Sequence, residues 1–159
     1  MEAARGVSEP ETRSRAIAVI GAFAGAVVLG IVLLIAFEPD VQQAGAVELV
    51  AREDDARSFF VADFVFILLY AVLSPLAIWR FGATIEGGPP RWISAAVVIL
   101  PLAGLVDAIE NVLIWSAAGS PSPDTVDAAH SLAIPKVVLF VAGSACAVGA
   151  LVKAVRALR

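Results

Sequence analysis

Cysteine, histidine, tyrosine and asparagine occur once each, as Cys146, His130, Tyr70 and Asn111. A lone cysteine makes no internal disulfide and no Cys-x-x-Cys pair, which excludes thiol-linked redox chemistry. Inside an apolar stretch, Cys146 reads as a small packing residue. A lone histidine cannot supply paired axial ligands to a haem, and a zinc site would want more Cys or His than the chain has. His130 falls at the end of an apolar run, where it reads as an interfacial cap. Gly-x-Ser-x-Gly, His-Glu-x-x-His and phosphate-loop motifs are all missing, so no cofactor and no catalytic residue is assigned. Basic residues are scarce too, 11 Lys and Arg against 15 Asp and Glu for a net charge of -4. Phosphate contacts need clustered cations, so nucleic acid is not a partner.

What the chain does have is apolar length. Of its 159 residues 60% are hydrophobic and only 16% charged, with a mean hydropathy of +0.89. The apolar residues gather into four runs, Ala16 to Phe37, Phe59 to Trp79, Trp92 to Trp115 and Ser131 to Val152. Each is about 20 residues or slightly longer, the length of helix that crosses a bilayer core. A transmembrane barrel would show short alternating segments instead. The expected fold is all-α: an integral membrane four-helix bundle of up-down topology. Its helices are expected near 16–37, 58–80, 92–116 and 131–153. They form one transmembrane domain over 16–156, with a cytoplasmic polar tail at 1–15 and a cytoplasmic end at 157–159.

Charge asymmetry sets the expected orientation. Arg5, Arg13, Arg15, Arg80, Arg91, Lys153, Arg156 and Arg159 fall on one side, and only Arg52 and Arg57 on the other. The positive-inside rule then puts both termini in the cytoplasm of a cell that has this inner membrane. Acids such as Glu48, Asp54, Asp124 and Asp127 collect outside, and Trp79, Trp92 and Trp115 sit at run ends where amphipathic rings favour the interface. Cleavage of the first run after Ala44-Gly45-Ala46 is the weaker reading. The run is longer than a signal core, three acids precede it, and the motif lies far past its end. "EGGPPRW" reads as a tight turn and "GSPSPD" as another, with Asp124 placed to cap an extension of the fourth helix.

Small residues mark the packing faces. The first run carries Gly21, Gly25 and Gly30, and the fourth Gly143, Ala147 and Gly149. They let backbones approach where lipid gives no hydrophobic drive. Packing inside one bundle is the preferred reading of Gly21 and Gly25, and a homo-oligomer face the alternative.

The polar residues inside the runs carry the functional question. Asp107, Glu110 and Asn111 are spaced i, i+3, i+4, which places all three within about 100° on one helix face. Ala103 and Gly104 continue that stripe and leave room for a neighbour. On the second run Asp63 precedes Tyr70 by seven residues, nearly two turns, with Ser74 extending the same face. Lys136 enters the fourth run. At ~1.5 Å per residue Asp63, Glu110, Asn111 and Lys136 fall in the outer half of the bilayer, and Asp107 and Tyr70 near its midplane. Each charge at the bilayer centre costs about 2.5–3.5 kcal/mol even on lenient scales, so they should face the interior together. Lys136 can neutralise one acid, Glu110 or Asp63 by depth. The remaining acids must hold a proton, accept hydrogen bonds from Asn111 and Tyr70, or bind a cation.

Asp-x-x-Glu-Asn on a third helix, an aspartate seven before a tyrosine on the second and a lysine entering the fourth resemble small four-helix bacterial membrane proteins. The resemblance covers Asp63 to Lys136 and implies no activity. The expected ligand-binding residues are therefore Asp63, Tyr70, Asp107, Glu110, Asn111 and Lys136, taking a proton, a small cation or a polar or lipid headgroup. A purely structural cluster is the alternative. An intramembrane lipid-modifying enzyme with carboxyl acid–base chemistry ranks third, because no nucleophile or metal is identifiable.

Overall fold

The computed structural model describes residues 8–36, 53–119 and 122–159. Most of the first connection, with Arg52 and the Ala44-Gly45-Ala46 motif, lies outside them, as do Arg5, Ser120 and Pro121. The described residues are helical apart from turns. They form α1 (Glu9–Ala36), α2 (Glu53–Ile67), a π-helical segment (Leu68–Leu73), α3 (Ser74–Gly82), α4 (Arg91–Gly119), α5 (Pro123–Ser131) and α6 (Ala133–Arg156). The protein is an all-α bundle with four helices long and apolar enough to cross a membrane, over Glu9–Leu33, Arg57–Gly82, Arg91–Ala117 and Pro123–Arg156. It is a multi-pass membrane protein.

The spans form a ring in which the third is the hub. It packs along the second and most extensively along α6, while the first packs against the second and fourth. Helices dominate because backbone polar groups in lipid must be satisfied within the segment. At one end Arg15 donates from Nη1 to the Arg80 carbonyl at 2.8 Å and pairs with Glu11, tying the start of the first span to the last turn of the second. The second and third spans are joined there by a turn in which Gly87 and Gly88 have φ of 79° and 87°, a region that only glycine enters freely. At the opposite end Ser122 caps α5 and accepts from the Thr125 amide. Asp124 lies in the first turn of that helix and is not its cap: with Pro123 at the first helical position, the capping place falls to Ser122.

Two apolar cores lie along the bundle. The larger joins Val19, Ile78, Phe81, Ile93 and Leu100 to Ala147, Ala150 and Ala154 near the glycine turn. The smaller joins Phe60, Ile114 and Ala117 to Val126 and Ala129 of α5. Small residues make the closest approaches: a Cβ on Gly143 would stand 2.8 Å from Leu100, and one on Gly149 2.6 Å from the Trp92 ring. Gly21 and Gly25 behave otherwise. Among the described residues nothing lies within 4 Å of a Cβ at either, so they pack against no neighbour in the bundle, contrary to the preferred reading of their spacing. The reason is their direction, since Gly30 on the same helix does meet a neighbour, Phe66 at 3.3 Å.

Candidate functional site

Between the two cores the polar residues of three spans meet. Asp63, Asp107, Glu110 and Asn111 are all buried, Asn111 completely. Tyr70 and Ser74 are buried beside them. The Tyr70 hydroxyl donates to Asp107 Oδ2 at 2.9 Å, and Asn111 Nδ2 donates to Asp63 Oδ2 at 2.6 Å. Lys136 Nζ sits 2.7 Å from Glu110 Oε2 and 3.2 Å from Asp107 Oδ1. The fourth span thus clamps two carboxylates of the third at once. Lys136 takes Glu110, as depth suggested, but its second partner is Asp107 and not Asp63. The i, i+3 spacing on α4 offers both acids to one ammonium, while Asp63 on α2 is engaged by the Asn111 amide.

Local sequence explains the placement. Gly104 lies one turn before Asp107, and a Cβ there would stand 2.2 Å from the Cβ of Ala71. The missing side chain brings the second and third spans into backbone-to-methyl contact beside the Tyr70–Asp107 bond. The contact falls on the π segment, which carries both Tyr70 and Ala71; such segments recur at functional sites. The Ser74 hydroxyl donates to the Leu69 carbonyl at 2.9 Å, beside the Ser74 backbone amide that donates to the same oxygen.

A cavity of about 680 Å³ opens onto this cluster. Asp63, Tyr70, Asp107 and Lys136 form its floor; Glu110 and Asn111 lie behind it and do not line it. Phe23 and Gly30 of the first span make one wall, and Phe140 and Ser144 of the fourth the other. Phe66 joins the second wall, with its ring centroid 5.0 Å from Tyr70 and Tyr70 in turn 5.0 Å from Phe140. Val27 and Ile31 on one flank and Val137 and Val148 on the other are about half exposed. The cleft therefore opens sideways, between the first and fourth spans.

All six residues singled out in the sequence converge here. The aromatic wall and the contribution of the first span were not anticipated, because that span carries no polar residue in its apolar run. Only the adjacency of the first and fourth spans reveals it, and single-sequence periodicity carries no such information. The place between Asp107 and Glu110 where a cation would sit is filled by the Lys136 ammonium. Among the described residues no three of His, Cys, Asp and Glu are grouped to hold a metal ion. One acceptor is left over: Asn111 Oδ1 is buried with no hydrogen-bond partner, while the carboxylate oxygens facing Lys136 meet its charge.

Comparison with protein-family models, with curated proteins and with solved structures returns no match.

Proposed function

We propose that this four-span membrane protein binds a lipid-like amphiphile in the cleft between its first and fourth spans. One observation carries the reading: a cavity of about 680 Å³ with apolar walls, phenylalanines among them, has a charged and hydrogen-bonding floor and a lateral mouth. Pockets for small molecules and cofactors run to roughly 300–1,000 Å³, mostly apolar with a few placed polar groups. An apolar body lies against Phe23, Phe66 and Phe140, and a polar head reaches Asp63, Tyr70, Asp107 and Lys136. Entry from the bilayer spares the apolar body any passage through water. The distribution of basic residues supports an orientation with both termini cytoplasmic and the cluster in the outer half of the membrane.

A second reading has its own support. The bonds of Asp63 to Asn111, Asp107 to Tyr70 and Lys136 to two carboxylates join three spans, so the cluster also holds the bundle together, at about 0.6 kcal/mol per bond on average. The test fills the cleft without touching the floor. Ser144→Phe places a ring in the wall and leaves every bond of the cluster in place. Native mass spectrometry of protein purified in mild detergent should find one retained amphiphile per wild-type chain and none on Ser144→Phe, with both equally folded by circular dichroism. Equal retention by both, or none by wild type, refutes the binding reading and leaves the structural one.

A further inference from the structure

The floor of the cleft is unbalanced in two respects, and both point to the same kind of head. Charge is the first. Asp63, Asp107 and Glu110 face a single cation, Lys136, which contacts Asp107 and Glu110. Asp63 lines the cavity and is engaged by the Asn111 amide, a neutral donor. Hydrogen bonding is the second. Three carboxylates and the Asn111 carbonyl accept, and the donors within the cluster are one phenol, one amide and one ammonium. Asn111 Oδ1 has no partner either, but it is fully buried behind the cleft, so the acceptors within a ligand's reach are the carboxylates that line it. An anionic head would meet a lysine already held by two acids and an unneutralised third. A neutral head would leave the charge as it is. A protonated amine corrects the charge at Asp63 and brings donors to its carboxylate, because an ammonium is positive and carries only donors.

Resting on the cleft reading above, we infer that the amphiphile is a lipophilic primary amine whose ammonium pairs with Asp63 while its chain lies in the aromatic-walled cleft. Asp63 is the carboxylate a ligand reaches without displacing Lys136.

Four twelve-carbon probes separate the head chemistries: dodecylammonium, dodecyltrimethylammonium, dodecanol and dodecanoate. Each is titrated against the full chain in nanodiscs of zwitterionic phosphatidylcholine, with thermal unfolding and native mass spectrometry as readouts. Dodecylammonium should bind with one-to-one stoichiometry and saturate at least tenfold below dodecanol and dodecyltrimethylammonium, with dodecanoate weakest. Asp63→Asn keeps the size of the side chain and its acceptor for Asn111. In that variant the advantage of dodecylammonium over dodecanol should vanish. Dodecanol or dodecanoate equal to dodecylammonium in wild type, or an ammonium preference that survives in Asp63→Asn, overturns the assigned head and leaves the cleft intact. A quaternary head as good as the primary one overturns the need for donors. Failure of all four probes to bind refutes the cleft reading itself.

Discussion

Substituting Gly104 by alanine perturbs the bundle at its narrowest point. The added Cβ would stand 2.2 Å from the Ala71 Cβ. Carbon atoms in contact settle at about 3.5–4.0 Å, so the second and third spans must part by ~1.3–1.8 Å. The Tyr70–Asp107 bond, 2.9 Å long and adjacent in sequence on the Ala71 side, then passes beyond hydrogen-bonding reach. Overpacking costs about 1–3 kcal/mol and the bond about 0.6 kcal/mol, for a combined loss near 2–4 kcal/mol. The assay is reversible unfolding in mixed detergent, comparing wild type, Gly104→Ala, Ala71→Gly and the double variant. In the double variant the clashing methyl is gone. What remains near the new Cβ is Ile67 Cγ2 at 3.3 Å, the end of a side chain that can shift, and the Ala71 Cα at 3.7 Å. Most of the loss should return, because the glycine removed from one helix interior is offset by the one placed in the other. Gly104→Ala as stable as wild type, or a double variant no better than the single one, would show that this contact does not set the helix spacing.

Three further outcomes follow from the cluster and the charge distribution. Lys136→Met strands Asp107 and Glu110 together and should destabilise by about 3–5 kcal/mol, whereas Glu110→Gln, which keeps an acceptor for the ammonium, should leave stability unchanged or slightly raised; the same unfolding assay decides, and a mild Lys136→Met refutes the clamp. A double-mutant cycle with Asp63→Ala and Asn111→Ala should give a coupling of about 0.6–1.7 kcal/mol, and additivity would mean that their bond contributes nothing. In a Cys146→Ala background, a cysteine at Asp127 should react with an external membrane-impermeant maleimide and one at Gly87 should not, with the reverse pattern inverting the orientation.

The spans and the polar face were legible because lipid makes both signals strong. Apolar runs of about twenty residues admit few readings, and the i, i+3, i+4 set of Asp107, Glu110 and Asn111 stood out against an apolar background where each charge is costly. The partners were less legible. Depth along the helices favoured Glu110 or Asp63 for Lys136, but rotation about each axis decides the second contact, and rotation depends on packing at Gly104 and Gly143. Spacing also misled at Gly21 and Gly25, since a small-residue stripe does not say which way it faces. The cleft was invisible to sequence because it is a space between spans distant in the chain, its far wall built from ordinary apolar residues such as Phe23 and Val27.

The clamp on Asp107 and Glu110 also imposes an order on biogenesis. Synthesis delivers Asp63, then Asp107 and Glu110, and only later the lysine that neutralises two of them. Through that interval the nascent chain holds three spans whose acids have no cation in the apolar runs. Until the fourth span arrives they must hold protons, keep contact with water or stay loosely assembled. The fourth span is thereby the one whose arrival neutralises Asp107 and Glu110.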